Sequence, residues 1–343
     1  MSSSLLVVYF TIALALVFDV INGFHDAANS IATVVSTRVL SPRIAVLWAA
    51  FFNFAAMFIF VPRVADTVSK VVRIQVGDPA FIYVVLAGLL GAITWDLLTW
   101  WWGLPTSSSH ALIGGFAGAG IAYQGVSIIR WDKMVAILQF IPLAPLIGMA
   151  AGFSFMLLVY WVFRKYRPSE VDSFFRKGQL FSAALYSLGH GGNDAQKTMG
   201  IIVALLVAAG MFDLDTQLSL LNLKTMWIIL SCQTAMAIGT AMGGWRIVRT
   251  MGMRLTKLKP VHGFCAETAG AATIFIATHM GIPVSTTHTI AGAIAGVGTT
   301  TNAAKVKWSI FGRIVISWVV TIPFSALVAA GCFYVVQWLH GAF

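Results

Sequence analysis

Two polar motifs with identical spacing are the most chemically distinctive part of this 343-residue sequence. The first carries Asp19, Asn22, Asp26 and Asn29, and the second carries Ser187, His190, Asp194 and Lys197, each spaced 3, 4 and 3 residues apart. That spacing places the side chains of each motif on one face of a helix. Asp26 and Asp194 hold equivalent positions, 168 residues apart, which favours paired roles. They could bind a cation or accept its proton, or they could form a structural pair with Lys197 or a helix-end cap.

A second repeated element is rich in hydroxyl groups. The segment Gly103–His110 (GLPTSSSH) recurs 178 residues later as Gly281–His288 (GIPVSTTH). In both copies the Gly-x-Pro sequence predicts a tight break followed by a new helix. Hydroxyl groups and the N–H groups at a helix N-terminus can bind an oxyanion without adding charge. The element therefore favours an oxyanion site, although Ser and Thr also pack between membrane helices for structural reasons.

Few ionisable residues fall within the long apolar runs of the chain. Of the 12 acidic residues, five lie there: Asp19, Asp26, Asp96, Asp194 and Glu267. Lys197 is the one basic residue at that depth. A carboxylate at the centre of a membrane helix costs roughly 2.5–3.5 kcal/mol on insertion scales, which favours a functional role. Asp19, Asp96 and Glu267 could equally form hydrogen bonds between helices. Four histidines could ligate a metal or relay protons, but none is assigned individually: His25, His110, His190 and His288.

The composition predicts that lipid surrounds these motifs. The chain is 59% hydrophobic and 10% charged, with a mean hydropathy of +0.86. A soluble domain carries about 25% charged residues, so this chain cannot cover a water-facing surface. The net charge of +10 comes without a basic stripe interleaved with aromatics, so nucleic acid is not an expected partner. Ten apolar runs could span a bilayer: 5–38, 44–61, 80–103, 106–124, 135–163, 179–210, 225–245, 262–281, 284–304 and 314–338.

The basic residues between these runs predict the orientation. One set of loops holds only Arg63, Lys70, Arg73, Arg130, Lys133 and Lys224, whereas the alternate set holds the remaining loop Lys and Arg residues. The richer set should be cytoplasmic, which places both termini outside an inner or plasma membrane. The polar segment 164–178 then forms a cytoplasmic linker between a first repeat (1–163) and a second repeat (179–343). Each repeat holds about five passes, and an odd number makes the second repeat inverted relative to the first.

The fold class expected is therefore an all-α polytopic membrane protein with two inverted-topology repeats and about 10–12 membrane segments. Inverted repeats place a substrate site near the midplane of the bilayer. The runs that carry the acidic motifs are too long for one straight span, and Gly23, Gly189, Gly191 and Gly192 weaken helix there. These two segments are expected to be discontinuous helices. The Gly-x-Pro pairs could be true crossings or re-entrant hairpins.

The motifs resemble the signature of the inorganic phosphate transporter (PiT) family. That family carries Gly-x-Asn-Asp-x-x-Asn near the start of each half, and the copies here are Gly23–Asn29 (GFHDAAN) and Gly191–Lys197 (GGNDAQK). The elements Pro105–His110 and Pro283–His288 are similar to family features as well. His25, Gln196 and Lys197 depart from the pattern. The resemblance implies secondary active transport of phosphate, with Asp26, Asn29, Asp194 and the hydroxyl segments forming the sites.

We therefore predict import of inorganic phosphate by symport with H⁺ or Na⁺ through alternating access, without a catalytic residue or a cofactor. The predicted substrate ligands are Asn29, Thr106, Ser107, Ser108, Ser109, Asn193, Gln196, Lys197, Ser285, Thr286 and Thr287. The predicted coupling-ion ligands are Asp26, Asp194, Asn22 and Glu267, with Asp26 and Asp194 as the residues that could hold Na⁺. Expected partners are inorganic phosphate, the coupling cation and the lipid bilayer, with a homodimer allowed.

Three other functions remain open at this stage. A sulfate permease of the same family would carry the same motifs. A divalent-metal transporter could use the His and Asp residues, and would take up metal independently of phosphate. A membrane hydrolase is disfavoured, because Ser109 and His110 are sequence neighbours and no G-x-S-x-G nucleophile elbow occurs. No P-loop is present to couple transport to ATP.

Overall fold

The computed structural model describes residues 3–74 and 76–339, apart from the side chains of residues 3, 4 and 305, and within those ranges all regular elements are helical. The helices are α1 (Ser3–Ser36), α2 (Pro42–Ala55), α3 (Arg63–Ser69), α4 (Pro79–Trp102), α5 (Ser108–Gln124), α6 (Trp131–Val162), α7 (Pro168–Ala208), α8 (Leu223–Met242), α9 (Trp245–Val248), α10 (Pro260–His279), α11 (Thr286–Asn302) and α12 (Trp308–Leu339). A π-helical segment, Arg249–Arg254, follows α9 directly.

Five helices of the described chain are long and apolar enough to cross a bilayer: α1, α4, α6, α8 and α12. The segment Pro42–Phe58 and α3 together pass the same test but are bent by 85°, as a broken span or a re-entrant loop would be. A hydrocarbon core about 30 Å thick requires about 20 apolar residues in a helix, which these lengths satisfy. All ten predicted runs overlap helices, so the prediction of an all-helical chain with several apolar helices is confirmed. The number of 10–12 membrane segments stays a prediction.

The expected breaks inside the two motif segments are wrong. Helix α1 continues for 34 residues and α7 for 41 residues without interruption. The glycines serve close packing instead. A Cβ at Gly23 would collide with the carbonyl of Met236 on α8, and a Cβ at Gly191 would collide with the carbonyl of Asn53 on α2. Because the helix backbone tolerates glycine when tertiary contacts compensate, these residues bring helices together rather than interrupting them.

The breaks lie instead at the two Gly-x-Pro segments, as predicted for those segments. Helix α4 ends at Gly103 and α10 is followed by Gly281, with φ values of 67° and 71° that favour glycine. The chain then runs without helix to Ser107 and Ser285, where α5 and α11 begin. We call residues 103–107 and 281–285 the first and second break.

Two side chains of α3 hold the second break in place through hydrogen bonds. Arg63 Nη1 donates to the carbonyl of His279 (2.7 Å), and Thr67 Oγ1 donates to the carbonyl of Gly281 (2.7 Å). Carbonyls at the end of a helix lack intrahelical partners, so these donors satisfy groups that α10 leaves open. We call this pair the Arg63–Thr67 clasp.

The first break is held in the same way from the segment that follows α8. Arg246 Nη1 donates to the carbonyl of Trp101 (2.6 Å), and Thr250 Oγ1 donates to the carbonyl of Gly103 (2.9 Å). We call this the Arg246–Thr250 clasp. Both clasps have the spacing Arg-x-x-x-Thr, a third repeated pattern that was not among the motifs recognised in the sequence.

The two motif helices, α1 and α7, cross in opposite directions at the centre of the protein. Asp19 accepts a hydrogen bond from Thr198 (2.9 Å), and Thr37 donates to Gln179 (2.8 Å). Residue numbers rise along α1 as they fall along α7, so the helices are antiparallel. Around them α1 packs on α8 and α2 on α7, while α5 packs on α12 and α11 on α6.

The predicted linker 164–178 is largely helical. Only a short turn separates α6 from α7, which begins at Pro168. Proline suits the first turn of a helix because its missing N–H would have no partner there. The Glu170 side chain accepts from the N–H of Arg167 (3.1 Å) and completes the cap. The motif of the second half is therefore carried on a helix that begins well before residue 179.

Candidate functional site

The crossing of α1 and α7 brings the two motif aspartates together. One ligand atom each from Asp26, His190 and Asp194 lies within 4.8 Å of the others, and all three residues are buried. His190 Nε2 is 3.1 Å from Asp194 Oδ2. The spacing of 3 and 4 residues explains this geometry, because it aligns the polar groups of each helix along the face that meets the other helix. We call this group the central cluster.

On the first-half side, Asp26 contacts the N-terminus of α11. Its Oδ1 is 2.8 Å from His25 Nδ1 and accepts a long hydrogen bond from Thr287 Oγ1 (3.5 Å). Asn29 Nδ2 donates to Thr287 Oγ1 (2.8 Å) and to Thr286 Oγ1 (3.3 Å). Asn29 is buried, and its Oδ1 meets no hydrogen-bond partner among the described residues. Two predicted substrate ligands of the second half therefore lie beside the first-half aspartate.

On the second-half side, Asp194 contacts α11 directly and α5 through Lys197. Lys197 Nζ donates to Asp194 Oδ1 (2.5 Å), to Ser109 Oγ (2.5 Å) and to the carbonyl of Val284 (2.8 Å). Thr286 Oγ1 donates to Asp194 Oδ2 (3.0 Å). The beginnings of α5 and α11 thus meet at the Asp194–Lys197 pair, one from each half of the chain.

The helices α5 and α11 begin with matching caps. Ser107 Oγ accepts from the N–H of His110 (3.3 Å), and Ser285 Oγ accepts from the N–H of His288 (3.2 Å). Serine is a favoured N-cap residue because its oxygen satisfies a backbone N–H that has no partner within the helix. These two predicted substrate ligands are therefore engaged in capping, and they fix the orientation of the hydroxyl groups that follow.

The remaining residues of the first hydroxyl run have different surroundings. Thr106 Oγ1 donates to Thr99 Oγ1 (2.9 Å) and lies 3.3 Å from His25 Nε2. The Oγ of Ser108 meets no partner of good hydrogen-bond geometry in the described chain, and the same is true of both carboxylate oxygens of Asp96. All of these groups are buried. Buried polar atoms of this kind are usually satisfied by water or a ligand.

Two predicted substrate ligands on α7 bind neighbouring segments rather than the central cluster. Asn193 Nδ2 donates to Thr278 Oγ1 (2.8 Å), near the end of α10. Gln196 accepts from the N–H of Val64 (2.9 Å) and donates to the carbonyl of Val61 (3.2 Å). Gln196 thereby holds the start of α3, so its contacts are those of a structural residue.

Glu267 is also separate from the aspartates. Its carboxylate accepts hydrogen bonds from Thr33 (2.5 Å), Gln179 (2.9 Å) and Ser182 (2.5 Å), which lie on α1 and α7. Glu267, which was predicted to be a coupling-ion ligand, therefore has no hydrogen bond to a residue of the central cluster. Asn22, the fourth predicted coupling-ion ligand, is buried, and its Oδ1 has no hydrogen-bond partner among the described residues.

Several residues around the cluster were not assigned as ligands from the sequence, although His190 was a motif residue and a candidate metal ligand or proton relay. His190 is a member of the cluster, and its Nδ1 lies 3.3 Å from both Asn53 Oδ1 and Ser30 Oγ. His190 occupies the position equivalent to Asn22, and this equivalence was the available signal. Asn53 on α2 carried no motif. Tyr186, one turn before His190, donates to the carbonyl of Thr286 (3.0 Å).

Two further histidines meet across the halves. The rings of His110 and His288 lie edge to face with centroids 4.8 Å apart. His288 also stacks on Trp318 with centroids 3.9 Å apart. The Trp318 Nε1–H donates to the carbonyl of Pro105 (3.0 Å) in the first break. The two equivalent histidines therefore form a contact between α5 and α11 directly after the capped hydroxyl residues.

The charges of the central cluster suit a cation. Two buried carboxylates, Asp26 and Asp194, face one fixed ammonium group, that of Lys197. A buried carboxylate without a compensating charge is costly, because it loses its hydration. A bound cation, a proton, or a protonated histidine beside Asp26 would supply the missing positive charge. Carboxylate, hydroxyl and amide oxygens are also the ligands that hard cations prefer.

Relatives of this chain are transporters. A sequence model described as the phosphate transporter family matches residues 22–329. A probable low-affinity inorganic phosphate transporter of Rhizobium meliloti (strain 1021) is 52% identical over 325 residues, covering 94% of each chain. One of Bacillus subtilis (strain 168) with the same description is 42% identical over 327 residues, covering 94% of this chain and 95% of its own.

A solved structure shares the fold. It is described as the sodium-dependent phosphate transporter and superposes with a TM-score of 0.84 at 22% identity, covering 96% of this chain and 99% of its own. This likeness extends to nearly all helices, and the family and its named members are transporters rather than enzymes. On the family match and the identities of its relatives, the chain is an integral membrane protein that belongs to the phosphate transporter family.

Proposed function

We propose that this protein imports inorganic phosphate by symport with a cation, either H⁺ or Na⁺, through alternating access of two inverted repeats. The observation that carries the proposal is the buried meeting of Asp26 and Asp194 with the hydroxyl-rich start of α11, to which Lys197 joins the start of α5. Cation ligands and oxyanion donors are thereby within contact of one another, which is the arrangement that symport requires.

The packing of the helices supports the inverted repeats, residues 1–163 and 179–343. Exchanging the halves converts the contact of α1 with α8 into that of α7 with α2, and the contact of α5 with α12 into that of α11 with α6. It also converts the Arg63–Thr67 clasp into the Arg246–Thr250 clasp. The antiparallel crossing of α1 and α7 fits repeats of opposite orientation. A site at the interface of such repeats fits the general architecture of secondary transporters.

The oxyanion would bind at the beginnings of α5 and α11. Ser108, Ser109, Thr286 and Thr287 provide hydroxyl groups, and the first turns of both helices provide N–H groups and the positive end of the helix dipole. The caps at Ser107 and Ser285 hold these donors in place before substrate arrives. Prior orientation lowers the cost of binding.

The driving force would come from the cation bound near Asp26 and Asp194. Moving one negative charge inward against 100 mV costs about 2.3 kcal/mol, and a divalent anion costs about twice that. Uptake therefore requires cations whose charge exceeds that of the anion. The excess of basic residues in one set of loops supports a cytoplasmic location for the turn between α6 and α7, with both termini outside. The description of the solved neighbour as sodium-dependent makes Na⁺ the first cation to test.

The test is uptake of radiolabelled phosphate and sulfate into proteoliposomes that contain the full chain. Imposed Na⁺ and H⁺ gradients are compared with no gradient, at equal membrane potential. We expect gradient-driven phosphate accumulation that unlabelled phosphate inhibits. Accumulation of sulfate in place of phosphate would identify the sulfate permease alternative, and equilibration without accumulation under either gradient would contradict symport.

A divalent-metal transporter is the second candidate, because Asp26, His190 and Asp194 lie within 4.8 Å of one another. Such a group of carboxylates and imidazole suits a transition metal. The same proteoliposomes distinguish the two functions. Uptake of Mn²⁺ or Zn²⁺ in the absence of phosphate would favour the metal transporter, whereas phosphate uptake with chelator present favours the proposed function.

A further inference from the structure

The ammonium group of Lys197 is surrounded in the way that a bound cation would be. Its Nζ is 2.5 Å from Asp194 Oδ1, 2.5 Å from Ser109 Oγ and 2.8 Å from the carbonyl oxygen of Val284. The residue is 1% exposed. One carboxylate, one hydroxyl and one backbone carbonyl form the oxygen set that hard cations prefer. The side chain of Lys197 therefore places a permanent positive charge inside a cation-type pocket.

The same pocket has a counterpart in the first half, with a neutral residue in place of the lysine. The 168-residue repeat relates Asp194 to Asp26 and Lys197 to Asn29, and the 178-residue repeat relates Ser109 to Thr287. The contacts follow the same relation. Asn29 Nδ2 donates to Thr287 Oγ1 at 2.8 Å, as Lys197 donates to Ser109.

The first-half pocket keeps one oxygen atom without a partner, while Asp26 Oδ1 lies 2.8 Å from His25 Nδ1. Asn29 Oδ1 is buried without a hydrogen-bond partner in the described chain. Asp26 Oδ1 and Thr287 Oγ1 are separated by 3.5 Å, a long hydrogen bond. The residues equivalent to Asp194, Lys197 and Ser109 thus carry a carboxylate, an amide and a hydroxyl group, with no ammonium group among them.

We infer that Lys197 is a built-in substitute for a coupling cation, so that the second-half pocket binds no mobile ion and coupling uses the first-half pocket at Asp26, Asn29 and Thr287. The inference rests on the proposed symport function and specifies its stoichiometry. The ammonium group neutralises Asp194 and, being covalently attached, does not dissociate. It therefore contributes no gradient energy, and the chain couples one cation fewer per phosphate than it would with a neutral ligand at position 197.

The geometry distinguishes this role from that of a phosphate ligand. An ammonium group has three N–H donors, and Asp194, Ser109 and Val284 accept all three. No donor remains for an oxyanion unless one of these contacts breaks. The hydroxyl groups of Ser108 and Ser109 and the helix N-termini are left as the oxyanion donors.

The direct test changes Lys197 to Asn, the residue that the equivalent position 29 already has. The full-length wild type and K197N are reconstituted, and the cation-to-phosphate ratio is measured from the gradient of Na⁺ or H⁺ that just balances a fixed phosphate gradient. We expect K197N to couple one additional Na⁺ per phosphate. An unchanged ratio in a K197N protein that transports phosphate would overturn the inference.

Equilibrium binding of ²²Na⁺ to the purified proteins gives a second readout that does not require transport. K197N should bind one more Na⁺ than the wild type, whereas K197M, which offers no oxygen, should gain none. The reciprocal change, N29K, should lose the Na⁺ that the wild type binds. A K197N protein that remains folded in detergent but gains no Na⁺ would overturn the inference, as would an equal gain in K197M.

The outcomes separate the two proposals. Failure of wild-type phosphate uptake under every cation gradient would contradict the proposed function, while the Na⁺ gained by K197N would still be measurable. Phosphate symport by the wild type together with no gain in K197N would contradict only the substitution of Lys197 for a cation.

Discussion

In the first half Asp26 lies beside neutral Asn29, whereas in the second half Asp194 is paired with the ammonium group of Lys197. The two aspartates occupy equivalent positions on antiparallel helices, and both contact the start of α11. One backbone arrangement therefore holds two different distributions of charge. The comparison shows that a repeat can keep its geometry while its two pockets carry different charged groups.

The largest expected effect comes from removing either carboxylate. Loss of an outer-shell partner of a metal ligand already lowers affinity roughly 10- to 100-fold. We therefore expect D26N and D194N each to reduce gradient-driven phosphate uptake by about 100-fold or more. Asp132→Asn, at an exposed ion pair with Arg130, is the matched control and should transport normally. Near-normal uptake by both variants would remove the basis for cation coupling at this cluster.

The two aspartates should differ in their effect on stability. D194N leaves the Lys197 ammonium group buried without its carboxylate, and breaking a buried ion pair in this way costs about 3–5 kcal/mol. D26N should cost much less, because the partner of Asp26 is an imidazole, which can hydrogen-bond without carrying a charge. Denaturation of the purified variants in detergent measures the difference, and D194N/K197M should recover stability without recovering uptake. Equal destabilisation by D26N and D194N would mean that the pockets are not electrostatically distinct.

The two halves differ in the charges around their aspartates, but the close glycine contacts between their helices should have similar effects on stability. G23A and G191A each introduce a methyl group against a backbone carbonyl of a neighbouring helix, and overpacking of this kind costs roughly 1–3 kcal/mol. Gly312 lies on α12, where an added methyl group would meet no atom within 4 Å, so G312A should be neutral or slightly stabilising. Thermal denaturation in detergent compares the three. A neutral G23A would show that the contact with α8 is loose.

The smallest effect should come from the caps of α5 and α11. S107A and S285A each remove a hydrogen bond to a backbone N–H, which costs about 1 kcal/mol. Their effects on stability should match, since the caps have nearly the same geometry. Ser→Thr at the same positions keeps a capping oxygen and serves as the control. A large loss of phosphate affinity in S107A at unchanged stability would mean that the hydroxyl binds substrate directly.

The spacing of the motifs was sufficient to predict that Asp26 and Asp194 lie on facing helix surfaces. The Gly-x-Pro sequences likewise predicted the breaks, because proline and a glycine with positive φ leave little alternative. The prediction that Gly23 and Gly191 interrupt their helices was wrong. A glycine in a helix can weaken the helix or let a neighbouring helix approach closely. Only the packing against α8 and α2 decides between these two effects.

The partners of individual side chains were less predictable. In the sequence, Gln196 and Glu267 resemble the predicted site residues, because they too are polar residues within apolar runs. Their contacts depend on α3 and on residues of α1 and α7 that are distant along the chain. His190 belongs to the central cluster because α1 and α7 cross close to this residue. Such choices depend on the crossing point of two helices, which residue spacing does not determine.

The two clasps have a mechanical consequence. Each joins an arginine and a threonine of one half to the carbonyls at the end of a helix in the other half. The helices of the two halves already interleave, and each clasp adds a hydrogen-bonded link between the halves at a break. A movement of either break away from the segment that holds it would have to break two hydrogen bonds to backbone oxygens, so the clasps resist such a movement.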